Sequence, residues 1–166
     1  HKDSYWGYNK IRYHRPRWAM AFYYPQAVNP TNGPTRVARG SHCYEDRFDT
    51  LDDIGQPVLG QAGTIAIVHF DLWHQATANQ TSDNRYMMKF QFHRMSEPKG
   101  PSWNREDPAW DSTGDGLPKH DVVWEQHWDW LNGCDSETTD FDTSGLMAGI
   151  SSESEPERLN AAYRLG

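Results

Sequence analysis

The chain has 166 residues, which is enough for one domain with a single hydrophobic core and little beyond it. Its net charge of −7 argues against nucleic-acid binding, which needs a basic surface, and disfavours binding to anionic membranes. No apolar run approaches the ~20 residues that a membrane-spanning helix requires. We therefore expect ligands that are neither nucleic acid nor lipid bilayer.

The two cysteines, Cys43 and Cys134, do not form a CxxC motif. They could form one disulfide, but we prefer two free thiols in a reducing compartment. This interpretation places the protein in the cytoplasm.

Three segments in the first half of the chain have the composition of strands. Residues 18–24 (WAMAFYY) are aromatic and apolar, and residues 35–42 (TRVARGSH) follow a turn-rich stretch. Residues 63–70 (GTIAIVHF) are β-branched and apolar at successive positions, which predicts a strand buried on both faces.

Residues 85–92 (RYMMKFQF) alternate with the period of a strand. One face carries only large apolar side chains, namely Tyr86, Met88, Phe90 and Phe92, and the other carries Arg85, Met87, Lys89 and Gln91. Because an apolar face needs a second layer to cover it, the pattern predicts a mainly β, two-layered fold of the barrel or jelly-roll type.

The last third of the chain predicts helices separated by an acidic segment. A helix is expected to open near Pro118 and close at Gly133, with Trp124, Trp128 and Leu131 on one stripe. Residues 135–154 are rich in acidic and small polar residues, which is typical of a flexible linker. A short helix follows, for which Ser154 and Glu157 have the spacing of a capping box.

The first three residues, His-Lys-Asp, have the spacing of a metal site. Residues i and i+2 of a strand point to the same side, so His1 and Asp3 could reach one ion while Lys2 faces away. His74 could complete a triangle of two imidazoles and one carboxylate, a ligand set that suits non-haem Fe(II). A second His-x-Asp, His69 with Asp71, has the same spacing, although His69 lies in a strongly apolar segment that favours a structural role.

Arg85 begins the alternating segment on the face opposite the apolar one. Inside a barrel an unpaired guanidinium would be costly, so it needs an anionic partner. A ligand carboxylate and an internal ion pair are both consistent with this position.

Two segments of the chain, GPTRVARGSH (33–42) and GTIAIVHFDLWHQATANQTSDNR (63–85), together with the His-Lys-Asp, resemble the phytanoyl-CoA dioxygenase family of Fe(II)/2-oxoglutarate oxygenases. The resemblance covers roughly residues 1–95. It implies a double-stranded β-helix in which His1, Asp3 and His74 hold Fe(II). It also implies that Arg85, eleven positions after His74, binds the distal carboxylate of the cosubstrate 2-oxoglutarate.

The chain departs from the family pattern at two places. Many members carry a hydroxyl two positions after the distal histidine, where this chain has Ala76, so Thr77 is the candidate substitute. The family also has a helical and strand region before its His-x-Asp. We therefore expect the chain to be an internal piece of a larger protein that lacks part of the oxygenase domain.

The final residues, PERLNAAYRLG, resemble the opening helix of a HEAT-type repeat. The expected organisation is a partial oxygenase domain at 1–134, the linker at 135–154 and the start of a helical repeat at 155–166. A repeat region of this kind could bind a partner protein.

The resemblance implies a dioxygenase that uses O₂ and 2-oxoglutarate to hydroxylate a C–H bond of a small organic substrate. Two alternatives stay open. One is a copper monooxygenase in which His1 binds the metal through its amine and its imidazole. The other is a non-catalytic β-barrel scaffold attached to a repeat array.

Overall fold

The computed structural model of the chain describes residues 1–3, 14–44, 54–104, 109–110, 121–134 and 143–166. It divides into two compact units, His1–Arg94 and Met95–Gly166. Two small antiparallel sheets lie in the first unit and three helices in the second, so the fold is mixed α and β rather than mainly β. The strands are β1 (Trp18–Tyr23), β2 (Thr35–Ala38), β3 (Gly55–Pro57), β4 (Ile65–His69), β5 (His74–Ala76) and β6 (Met88–His93), and the helices are α1 (Asp121–Leu131), α2 (Thr143–Ile150) and α3 (Glu155–Leu165).

The first sheet has the order β4-β1-β6 and the second has the order β3-β2-β5. The strands predicted at 18–24, 35–42, 63–70 and 85–92 correspond to β1, β2, β4 and β6. Strand β2 is shorter than its predicted segment because Gly40 adopts a positive φ of 73° and starts a 3-10 turn at Ser41–Cys43.

The hydrophobic core of the first unit lies against one face of β1. Met20 and Phe22 on β1, followed by Tyr24, are fully buried and form a cluster with Val28. Partly buried residues from both sheets complete it, including Val37, Val58, Ala66 and Val68. The core therefore joins the two sheets into one unit.

The outer face of the first sheet corrects two expectations from the sequence. Strand β4 was predicted to be buried on both faces, but Ile67 is 76% exposed. The apolar face of 85–92 was predicted to be covered, but Phe92 is 57% exposed. The pairing of the strands explains both exposures. Met20 and Phe22 of β1 point to the core, and the register places Lys89 and Gln91 of β6 beside them. The alternate side chains must then point outward.

The helical unit follows the sequence prediction in part. Helix α1 begins at Asp121, and Gly133, with a positive φ of 73°, lies just past its end, while Pro118 lies outside the described residues. Trp103 and Trp110 pack against Trp128 of α1 at 5.2 and 6.1 Å between ring centroids. None of the helices in the described part of the chain has the length and apolar character of a transmembrane span.

The C-terminal helices differ from their predicted form. Helix α2 occupies Thr143–Ile150, inside the segment that the sequence predicted to be a linker, and its Gly149 lies against α3. The expected capping box is absent, because Ser154 makes no side-chain cap and Glu157 instead accepts a hydrogen bond from Ser152 (2.5 Å). Cys134 and Cys43 are both free thiols, as predicted.

Truncation of a core side chain in β1 should destabilise the first unit strongly. We expect Met20→Ala to lower the free energy of unfolding by about 2–5 kcal/mol, because the fully buried side chain leaves a cavity. Met88→Ala is the matched control on the exposed face of the same sheet and should cost less than about 1 kcal/mol. Urea unfolding measures both, and equal losses would contradict this assignment of the two faces.

Candidate metal centre

His74 is placed by backbone pairing on both sides. On one side β5 pairs with β2, with His74 opposite Val37. On the other side, the backbone nitrogen of His74 donates to the His1 carbonyl (3.0 Å), and the His1 amino nitrogen donates to the His74 carbonyl (2.9 Å). This reciprocal pairing aligns the first residues of the chain alongside β5, although 73 positions separate the two histidines.

Three side chains converge at this point. The Nε2 atom of His1 lies 3.3 Å from Oδ1 of Asp3, and Nε2 of His74 lies 3.6 Å from Oδ2. The two imidazole rings are 4.4 Å apart between centroids. One ligand atom from each residue lies within 4.8 Å of the other two, and no other such group occurs in the part of the chain that the structure describes. Each carboxylate oxygen of Asp3 faces a different imidazole.

Burial sets the protonation state of His74, which is 6% exposed. Burial lowers the pKa of His74 below its ordinary value of 6.5, and the positive charge of Lys89 acts in the same direction. The hydrogen bond to Leu72 and the negative charge of Asp3 oppose these effects only in part. His74 is therefore neutral at pH 7, the form that binds metals.

The ring of His74 is oriented by its other nitrogen. Nδ1 lies 2.9 Å from the Leu72 carbonyl oxygen, an acceptor, so we assign the proton to Nδ1. Nε2 then carries a lone pair directed toward Asp3. Histidine ligands of metals are commonly held in this way by a carbonyl group.

The second His-x-Asp supports the first instead of forming a site of its own. The His69 ring stacks on His42 at 4.4 Å, and its Nδ1 accepts a hydrogen bond from the Asp71 backbone (3.0 Å). The Asp71 carboxylate forms an ion pair with Lys2 (3.4 Å), in which both side chains are almost fully buried. Lys2 thus points away from the triangle and holds the His-Lys-Asp segment in place.

The two residues expected to bind the cosubstrate are not joined to the triangle by any contact. Arg85 lies in the irregular segment before β6, is half-buried and has no ion-pair partner among the described residues. The Thr77 hydroxyl donates to the Pro34 carbonyl (2.6 Å).

Lys89 is a residue of this site that the sequence analysis did not single out. Its Nζ lies 2.5 Å from Oδ2 of Asp3 and 3.3 Å from Nε2 of His74. The signal was available in the alternation of 85–92, because Lys89 shares its face with Arg85. The sequence alone does not show that this face meets Asp3.

Comparison with known proteins agrees with the resemblance. The family model of phytanoyl-CoA dioxygenase (PhyH) matches residues 1–87, just over half of the chain, including the triangle and Arg85. One similar solved structure is the nickel complex of the non-haem monooxygenase ThoJ, with 17% identity and a TM-score of 0.42. That alignment covers 90% of this chain and 54% of the other, so the chain spans about half the length of that protein. No curated protein matches the sequence. The family match establishes that this chain belongs to the phytanoyl-CoA dioxygenase (PhyH) family.

Proposed function

We propose that the chain carries the metal centre of an Fe(II)- and 2-oxoglutarate-dependent oxygenase that hydroxylates a C–H bond of a small organic substrate. The observation that carries the proposal is the group of His1, Asp3 and His74, with ligand atoms within 4.8 Å of one another. Two imidazoles and one carboxylate leave several positions on Fe(II) open for a cosubstrate and O₂. Membership of the family supports oxygenase chemistry in general.

The donor set fits a divalent cation in charge as well as in geometry. The Asp3 carboxylate is 1% exposed and supplies a negative charge that is hard to satisfy away from water without a cation. His74 is neutral and presents its Nε2 lone pair, so no proton has to leave that ring on binding. Iron held there would supply the activation of O₂ and the oxidising power for the substrate.

Arg85 is the proposed anchor for the distal carboxylate of 2-oxoglutarate. A half-buried guanidinium without an ion-pair partner among the described residues has donors available for a planar anion. The sequence left an internal ion pair open as the alternative. No acidic side chain in the described part of the chain pairs with Arg85. This observation favours the ligand carboxylate.

A buried hydroxyl of the first unit is a second candidate donor. The Tyr24 hydroxyl is buried and has no hydrogen-bond partner among the described residues. The residues on either side of Arg85 lie beside the segment that follows β1. There the Gln26 side chain donates to the Asn84 carbonyl and accepts from the Tyr86 backbone nitrogen. Thr77 is a weaker candidate, since its only hydroxyl proton is already donated to Pro34.

The copper alternative is disfavoured by the backbone pairing of His1. A histidine brace requires the amine of His1 as a ligand, but this nitrogen donates a hydrogen bond to the His74 carbonyl. A histidine brace would also leave Asp3, which lies between the two imidazoles, without a role.

We further propose that the two sheets of the first unit belong to a double-stranded β-helix, the fold that the family resemblance implies. The proposal is supported by contacts between the two sheets at the site, since the ring of His74 on β5 lies 5.6 Å from the ring of Phe22 on β1. The oxygenase part would then be centred on His1–Arg94. The HEAT-type character of the C-terminal helix, and a protein partner bound there, remain part of this proposal.

Divalent metal should stabilise the protein through His74. With Mn²⁺ at a hundredfold excess over its Kd, we expect a gain of about 2.7 kcal/mol in unfolding free energy. His74→Ala should abolish this gain. His93→Ala should retain it, because it removes an imidazole of β6 that stacks on Trp18 of β1. Denaturant unfolding with and without EDTA measures the gain. Equal responses of the two variants would support the non-catalytic scaffold.

Removal of the Arg85 guanidinium should weaken binding of the cosubstrate. In Mn²⁺-loaded protein, we expect Arg85→Gln to raise the Kd for 2-oxoglutarate by roughly tenfold to a hundredfold, because a charge-assisted bidentate contact is lost. The matched ligand is 2-oxobutyrate, which lacks the distal carboxylate and should bind both proteins equally. Isothermal titration calorimetry distinguishes the cases, and an equal loss for both ligands would refute the role of Arg85.

A further inference from the structure

The Lys89 ammonium contacts the atoms that a metal would use. Its Nζ lies 2.5 Å from Oδ2 of Asp3 and 3.3 Å from Nε2 of His74. Those two ligand atoms are 3.6 Å from each other. Nδ1 of His74 donates its proton to the Leu72 carbonyl, so the lone pair of the ring is on Nε2. This lone pair accepts the hydrogen bond from the Lys89 ammonium, and it is also the one that would bind a metal. The ammonium and a metal cannot use these atoms together.

Burial explains why a cation is held there. Asp3 is 1% exposed, and a carboxylate removed from water is costly unless a positive group satisfies it. The other lysine of this segment, Lys2, forms its ion pair with Asp71. Lys89 therefore brings an ammonium group to the Asp3 carboxylate from strand β6.

We propose that Lys89 is a built-in competitor of the metal: its ammonium neutralises Asp3 in the metal-free protein and leaves when a divalent cation binds. This inference rests on the proposed metal centre and goes beyond it, since it assigns to Lys89 control over metal affinity. The residue is a positioning residue, because it acts on the metal through Asp3 and His74.

The side chain has room to leave. The Lys89 side chain is 29% exposed, and its four-carbon stem allows the ammonium to swing toward solvent without movement of the backbone. Displacement therefore requires a change of rotamers and no rearrangement of the sheets.

The competition has two measurable consequences. Without Lys89, the metal no longer has to displace an ammonium, so Lys89→Met should bind Co²⁺ more tightly than the wild type. We expect about a tenfold lower Kd, the low end for a charge-assisted hydrogen bond because the ammonium is partly solvated. The metal-free variant should melt at a lower temperature in EDTA, since the buried Asp3 carboxylate has lost its contact with the Lys89 ammonium, and saturating Co²⁺ should close that gap.

The experiment uses the protein with its full native chain and a Co²⁺ titration followed by calorimetry and by the visible absorption of bound Co²⁺. Lys99→Met is the matched control, because it removes one lysine charge from the other unit and should leave the Kd unchanged. Lys89→Arg keeps the charge and should remain within about threefold of the wild type. If metal-free Lys89→Met does not fold, Lys89→Gln carries the same expectation for the Kd.

The outcomes separate the two proposals. If the wild type binds Co²⁺ and His74→Ala does not, while Lys89→Met has an unchanged or higher Kd, the competitor role is wrong and the metal centre stands. If the wild type itself binds no Co²⁺ in a manner that depends on His74, the metal centre fails, and the role of Lys89 fails with it. A lower Kd in Lys89→Met alone, with Lys99→Met unchanged, supports the competitor.

Discussion

The first unit depends on the compensation of one buried negative charge. Asp3 is almost fully removed from solvent, and its two oxygens face His1 and His74, with Lys89 in contact with the second oxygen. A carboxylate in such a place is unfavourable unless cations or hydrogen bonds surround it. The same charge that makes the site costly without a cation makes it suitable for a divalent metal. Local stability and the metal binding that we propose therefore follow from one electrostatic requirement.

Backbone pairing, rather than side-chain packing, brings the charge to its partners. His1 and His74 exchange two backbone hydrogen bonds, which places Asp3 opposite the face of β6 that carries Lys89. The buried ion pair between Lys2 and Asp71 fixes the same segment from its other side. The His69-Phe70-Asp71 segment, which has the spacing of a ligand pair, thus supports the candidate pair His1 and Asp3. Two motifs of identical spacing differ in their contacts, because His1 and Asp3 lie against His74 whereas Asp71 pairs with Lys2.

The outer face of the first sheet shows what an alternating sequence pattern cannot predict. Alternation correctly divides 85–92 into two faces, but the expectation that a second layer covers the apolar face was wrong. Phe90 and Phe92 point outward because the register with β1 places Lys89 and Gln91 on the core side. A period of two says which residues share a face and does not say which face is buried. Phe90 and Phe92 are exposed in spite of their hydrophobicity, because the pairing with β1 keeps Met20 and Phe22 in the core and leaves these two residues on the opposite side.

The sequence by itself determined four of the six strands that the structure describes, the shared side of His1 and Asp3, and the His74–Arg85 spacing on which the family resemblance rests. These features are local or are carried by short motifs, so composition and period are sufficient to find them. Only the tertiary structure decided which His-x-Asp meets His74, which face of β6 is turned toward Asp3, and that the Lys89 ammonium contacts Asp3. Each of these depends on a contact between residues far apart in the chain, such as the 86 positions between Asp3 and Lys89. Such contacts are set by strand register and burial, which no local pattern encodes.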